Sequence, residues 1–128
     1  NELYLDGKLL GVTPEPVVGA SIANFNGVDY IIIITNTSGF MADDKAYTIE
    51  KSLINEDPNN SNWNNLGSID WGAIFNNQSV ERDFCHFFDP TGTKAIATKY
   101  YFGVPAINNS TGNYVTTRIT FTSPTSFT

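Results

Sequence analysis

The sequence predicts an all-β chain: one antiparallel β-sandwich domain over residues 1–128, jelly-roll or Ig-like, with about eight or nine short strands. Three observations carry that expectation. No helical period is sustained anywhere along the chain. Short runs rich in Val, Ile, Tyr, Phe and Thr recur between clusters of turn residues. Two dipeptides, Asp6-Gly7 and Asn26-Gly27, stand between strand-like flanks, where a two-residue hairpin loop needs residues that tolerate positive φ. A chain of 128 residues buries roughly two thirds of its unfolded surface, so one core suffices without disulfide staples.

The elements follow in order. LYL-DG-KLL (3–10) reads as a hairpin. The next segment, GVTPEPVVG, carries Pro14 and Pro16, which cannot donate to a ladder, and reads as an edge or a connection. SIANF-NG-VDYIIII (21–34) is the strongest hairpin signal. A type I′ loop at Asn26-Gly27 sets Phe25 opposite Val28, Ala23 opposite Tyr30 and Ser21 opposite Ile32, an apolar face expected to be the core face. The other face sets Asn24 against Asp29 at a wet tip, then Ile22 against Ile31 and Ala20 against Ile33. Consecutive isoleucines leave no polar side, so both faces need cover. Cover from within the chain is the ordinary expectation. The other is a homo-oligomer in which a second copy docks on the Ile31/Ile33 strand face, because a bare β-prone window would aggregate.

Further along, TNTSG (35–39) reads as a turn, and AYTIEKSLI (46–54) alternates with Tyr47, Ile49 and Leu53 on one face. A long polar loop, INEDPNNSNWNNLGSIDW (54–71), follows. SIDWGAIF (68–75) fits a strand or a helical turn. SVERDFCHFF (79–88) puts Val80, Phe84, His86 and Phe88 on one side, with Glu81, Asp83, Cys85 and Phe87 on the other. DPTG (89–92) and NNSTGN (108–113) are turn signals. Between and after them, KAIATKYYFGV (94–104) and YVTTRITFT (114–122) alternate, with Val115, Ile119 and Phe121 expected to face in. The tail SPTSFT is expected to fray.

Composition removes several function classes. The net charge is −6 and the seven Lys and Arg residues are scattered, which argues against nucleic acid as a partner. The longest apolar run, residues 30–34, is too short to span a membrane. The lone cysteine, Cys85, allows no internal disulfide, although a domain of this size can be secreted without one. The chain lacks an initiator methionine and reads as a processed chain or an excised domain. Abundant Asn, Ser and Thr with few Lys point to an extracellular or surface-exposed protein. Asn36, Asn59, Asn77, Asn108 and Asn109 head glycosylation sequons and are the glycoprotein candidates.

Catalytic signatures are weak, and the chain is not expected to be an enzyme. Cys85 and His86 are adjacent, so on a strand their side chains point to opposite faces and cannot form a thiolate–imidazole dyad. Glu81 and Asp83 lie two apart, as paired carboxylates of glycosidases do, but Arg82 between them suggests an ordinary solvated face. No nucleophile elbow, phosphate-binding loop or dinucleotide fingerprint is present.

The long loop carries the main functional expectation. Asp57, Asn59 and Ser61 match the alternating ligand spacing of an EF-hand, but Asn62 stands where that loop needs glycine and Ser68 where it needs the bidentate glutamate. No cofactor is expected; an irregular calcium cage using Asp57, Glu56 and backbone carbonyls is the remaining metal reading. Sugar recognition fits the composition better. Saccharide rings stack on exposed aromatics while amides hold their hydroxyls, and Trp63 stands among Asn60, Asn62, Asn64 and Asn65, with Trp71 closing the loop. The opposing reading is that Trp63 folds back as a plug. Residues 21–35 with the asparagine-flanked tryptophan also resemble one blade of the fucose-binding propeller lectins. No second blade follows, and the arginine and glutamate those lectins use for the sugar have no match, so no residue role is carried over.

The function expected from sequence is therefore a secreted or surface-displayed, non-catalytic, lectin-like carbohydrate-binding module with a glycan as partner. The alternative is a self-assembling structural subunit of a filament, fibre or capsid, with copies of itself as partner through strand complementation. A glycan-active enzyme stands third.

Overall fold

The computed structural model describes the backbone of residues 1–38, 43–59, 62–69, 80–82, 86–88, 100–108 and 114–128, and the side chains of 1–38, 43–59, 62–69 and 119–128. Its regular structure is strand with almost no helix, and every described strand pairing is antiparallel. β1 (Glu2–Leu5) and β2 (Lys8–Val12) form a two-stranded sheet. β3 (Val17–Phe25), β4 (Val28–Thr35), β5 (Lys45–Glu50) and β6 (Asn64–Ser68) form a four-stranded sheet in chain order. β7 (Val80–Arg82), β8 (His86–Phe88), β9 (Tyr100–Asn108), β10 (Tyr114–Ser123) and β11 (Ser126–Phe127) form a third sheet. In it β10 runs along one edge of β9, and β7 and β8 lie in line along the other.

Both sequence-predicted hairpin loops form with the backbone they require. Asp6 and Gly7 have φ of 50° and 79°, and Asn26 and Gly27 have φ of 53° and 85°. These left-handed pairs match the right-handed twist of the flanking strands. The β3–β4 register is the expected one at every pair from Ala20↔Ile33 to Phe25↔Val28. Because side chains alternate with period two, that register sorts the central sheet into two faces. One carries Ala23, Phe25, Ile32, Ile34, Ala46 and Thr48, all buried. The other carries Ile22, Ile31, Ile33, Tyr47 and Ile49.

This second face answers the question raised by the isoleucine run. Ile31 and Ile33 are 1% and 0% exposed in a single chain. Leu3 and Leu10 of the first hairpin, Val17, Ile54 and Trp63 pack against the cluster of Ile31, Ile33, Tyr47 and Ile49. The homo-oligomeric contact expected at the Ile31/Ile33 face is thereby corrected: the chain's own first hairpin and long loop occupy the position a second copy would need.

Other expectations shift for local reasons. After β5 the chain turns through a 3-10 segment, Lys51–Leu53, so Leu53 leaves the Tyr47/Ile49 face and is 48% exposed. The tail does not fray. Thr120 and Thr128 exchange backbone hydrogen bonds, and the rings of Phe121 and Phe127 stack 5.5 Å apart. Of the strand expected over 79–88, the described residues are β7 and β8, both on the same edge of β9, and residues 83–85 between them lie outside the described residues. Extending the β7 register would set His86 opposite Phe102, but His86 pairs with Gly103, so the edge carries a one-residue offset. Eleven strand segments are described, several only two or three residues long. The expected turn and strand stretches at 70–79, 83–85, 89–99 and 109–113 lie outside the described residues.

Candidate functional site

The described part of the asparagine-rich loop is built by its polar side chains bonding its own backbone. Asn55 Oδ1 accepts from the Asp57 N–H at 2.8 Å, and Asp57 Oδ1 accepts from the Asn59 N–H at 2.9 Å. These are Asx turns, the local bonding that makes Asn and Asp frequent in loops. Asn62 Nδ2 donates to the Leu53 carbonyl at 3.4 Å, and Asn64 Nδ2 to the hydroxyl of buried Thr48 at 3.3 Å. Asn65 Oδ1 accepts from the N–H of Gly67, whose φ of 91° sits at a bulge where β6 has one residue more than β5. Asn62, Asn64 and Asn65 remain exposed while making these bonds. Asn60 and Trp71 lie outside the described residues.

Trp63 is half-buried, and its indole N–H donates to the Val12 carbonyl at 3.1 Å. The ring packs against the isoleucine cluster from the loop side. A tryptophan that is wet on one side and bonded through its polar edge is common where a loop closes over a core. The same loop holds the first hairpin in a second place. The Val12 N–H donates to the Asn55 carbonyl at 2.9 Å. One residue earlier, a Cβ built on Gly11 would stand 2.5 Å from the Asn55 oxygen and 2.6 Å from Ile54 Cγ1. Only glycine permits that approach, so β2 and residues 54–55 are in direct backbone contact. The loop therefore works as a strap that fixes the β1–β2 hairpin over the second face.

The connection between the hairpin and β3 is anchored by one carboxylate. Tyr47 donates its hydroxyl hydrogen bond to Glu15 Oε1, and Lys45 Nζ lies 3.4 Å from the same oxygen. Glu15 Oε2 is buried without a hydrogen-bond partner among the described residues. Burial first, then the bond to Glu15, push the Tyr47 phenol above its ordinary range. Thr13 Oγ1 donates to the Glu15 carbonyl at 3.0 Å, and the Asn36 N–H to the Pro16 carbonyl at 3.0 Å. These contacts tie residues 13–16 down on both sides of the two prolines.

Among the described residues, no three His, Cys, Asp or Glu side chains gather at metal-binding distance. Glu56 is exposed and Asp57 half-buried, with the Asp57 carboxylate accepting the Asn59 N–H. Glu81 lies in β7 and His86 opens β8, whereas Asp83 and Cys85 fall outside the described residues. Of the sequon asparagines, Asn36 is buried and its Nδ2 donates to Asp44 Oδ1 at 2.7 Å. Asn59 is exposed in a turn, Asn108 ends β9, and Asn77 and Asn109 are outside the described residues. An oligosaccharide needs a free, exposed amide, which Asn59 offers and Asn36 does not.

One surface was not anticipated from the sequence. Tyr4 is 56%, Leu5 38% and Leu9 36% exposed, and Tyr4 and Leu9 are direct cross-strand partners. Beneath them the hairpin does not seal against the sheet. A cleft of about 270 Å³ remains, lined by Leu3, Tyr4, Leu5 and Leu10 from the hairpin and by Ala20, Ser21, Ile22 and Ile31 from β3 and β4. Its described walls are aliphatic apart from Tyr4 and Ser21. At the rim, Tyr4 donates its hydroxyl hydrogen bond to Glu2 Oε2, a contact that raises the Tyr4 pKa. The signal was legible: the eight residues LYLDGKLL hold five large apolar side chains, more than one face of a two-stranded ribbon can bury. No protein-family model, curated protein or solved structure matches this chain at a significant level, so its function is read from this geometry alone.

Proposed function

We propose that this protein is a non-catalytic, extracellular or surface-displayed β-sandwich module that acts by binding, and that its contact surface is the β1–β2 hairpin with the cleft beneath it. The sandwich is formed by the four-stranded and five-stranded sheets. It is supported by the buried side chains on the face of β3–β5 away from the hairpin, by the hydrogen bond from Thr48 Oγ1 to the Pro124 carbonyl, and by the complete burial of Ile119 and Phe121.

The observation that carries the binding reading is the exposure of Tyr4, Leu5 and Leu9 beside an aliphatic cleft. A soluble domain rarely leaves paired large apolar side chains wet next to an open groove unless another molecule meets them. The partner class that fits best is a protein, in the first instance a second copy of this chain, which moves the self-assembling structural subunit, the alternative expected from sequence, ahead of the carbohydrate-binding module. The test is sedimentation velocity over a concentration series, comparing the wild type with a Tyr4→Ser/Leu9→Lys double variant. Association in the wild type that weakens in the variant supports the proposal; a wild type that stays monomeric throughout removes it.

A carbohydrate site at the strap is the second reading. It is favoured by the exposed Asn62, Asn64 and Asn65 beside the half-buried Trp63 ring. Glycan-array binding that is lost in an Asn62→Ala/Asn65→Ala variant would move it to first place.

A further inference from the structure

We propose that Asn26 is a spontaneous deamidation site that the fold holds intact, and that Asn24 is the residue that holds it. Asn26-Gly27 is the only Asn-Gly pair in the chain. Such a pair is chemically exposed because glycine leaves its own nitrogen unhindered. The reaction begins when the Gly27 nitrogen loses its proton to hydroxide and attacks Asn26 Cγ. The N–Cγ bond forms, the Cγ–Nδ2 bond breaks, and ammonia departs with a proton taken from water. Water then opens the cyclic succinimide at either carbonyl, leaving aspartate or isoaspartate.

The hairpin tip opposes the first step in two ways. The Gly27 N–H donates to Asn24 Oδ1 at 3.0 Å, so the proton that must leave is engaged in a hydrogen bond. The type I′ loop also holds Asn26 and Gly27 at φ of 53° and 85°, and the cyclisation must draw this nitrogen onto the Asn26 side chain. Asn24 is fixed in turn by its Nδ2, which donates to Asp29 Oδ1 at 2.9 Å, and Asp29 is its direct cross-strand partner. Asn26 itself is exposed, so hydroxide and water reach it freely. The chain Asp29–Asn24–Gly27 thus guards a site that solvent surrounds. Failure of the guard has a structural cost beyond the tip. Isoaspartate inserts a methylene into a two-residue loop, and that loop sets the register placing Ile22, Ile31 and Ile33 on the second face.

The experiment incubates the full chain at mildly alkaline pH as wild type, Asn24→Ala, Asp29→Ala and Trp63→Phe. Proteolytic digestion and mass spectrometry then quantify aspartate and isoaspartate at position 26 over time. Asn24→Ala is expected to deamidate several-fold to about tenfold faster, the factor that corresponds to one net hydrogen bond. Asp29→Ala, which keeps the Asn24 oxygen but loses its anchor, falls between it and the wild type. Trp63→Phe weakens the fold at a distance and is expected to match the wild type. An Asn24→Ala rate equal to wild type overturns the proposal. So does a rate that rises in Asn24→Ala and Trp63→Phe alike, in step with lost stability, because general unfolding would then control the reaction. Circular dichroism checks folding of each variant, and if Asn24→Ala does not fold, the comparison of Asp29→Ala with Trp63→Phe decides alone.

Discussion

Gly11 and Tyr47 show how much of this fold rests on single side chains. At Gly11 the obstacle to any larger residue is the backbone oxygen of Asn55 and a branch of Ile54, neither of which can swing aside as a long flexible side chain can. Gly11→Ala is therefore expected to cost about 1–3 kcal/mol, the range for inserting a methyl into a tight contact, read from the urea midpoint. The loss should appear as faster amide exchange at Val12, whose bond to Asn55 is the nearest casualty. Tyr47 gives a pH prediction. Its phenol is held above the ordinary value of 10.0, by burial first and then by the Glu15 carboxylate. Above pH about 10 the unfolded chain releases this proton while the folded chain retains it, so the unfolded state binds fewer protons and stability falls as pH rises. The contribution is complete below that pH and lost above it. Tyr47→Phe is expected to be less stable at neutral pH by about 1 kcal/mol, the net worth of one hydrogen bond, yet to lose stability less steeply between neutral pH and pH about 11. Equal slopes in the two proteins' urea-denaturation series would refute the assignment.

At the scale of elements, the hairpin and the strap depend on each other. A lone two-stranded ribbon is marginal in water, so β1–β2 persists because Leu3 and Leu10 are buried and because Asn55 and Trp63 hold the Val12 backbone. Trp63→Phe removes the donor to Val12 and is expected to cost about 1 kcal/mol. Trp63→Ala removes the packing as well and should cost roughly 2–4 kcal/mol, below the full-burial range because the ring is half-exposed. Amide exchange quickening first in β1 and β2 would confirm the coupling; uniform quickening would show that the strap is merely part of the core. The hairpins were legible in the sequence because Asp-Gly and Asn-Gly carry backbone information locally, and the β3–β4 register followed from the loop type alone. The strap was not legible. Its asparagines have the composition of a sugar site, but composition does not say whether an amide turns to solvent or to the chain's own acceptors, and Asn62 and Asn64 donate to the Leu53 carbonyl and the Thr48 hydroxyl. Nor does alternation reveal a register offset such as the one between β7 and β8 along the edge of β9.

For the molecule as a whole, the central sheet has two apolar faces, and among the described residues its second face is closed by the hairpin of residues 1–12 together with Val17, Ile54 and Trp63. The isoleucine run makes that closure obligatory, since Ile22, Ile31 and Ile33 would otherwise present a β-prone surface to water. Deleting residues 1–12 while keeping the strap is therefore expected to leave the central sheet folded but self-associating, with new binding of an apolar fluorescent dye. The Tyr4→Ser/Leu9→Lys variant changes the exposed Tyr4–Leu9 pair while leaving the packed Leu3 and Leu10 in place, and is expected to do the reverse, lowering any association present in the wild type. The opposed signs matter, because a general loss of stability would push both proteins toward aggregation. If the deletion instead yields a well-behaved monomer that binds no dye, then Ile54, Trp63 and the Glu15 connection close the face by themselves. The hairpin would then owe its place to what it contacts outside the chain, and its exposed Tyr4–Leu9 pair would be its reason for being there.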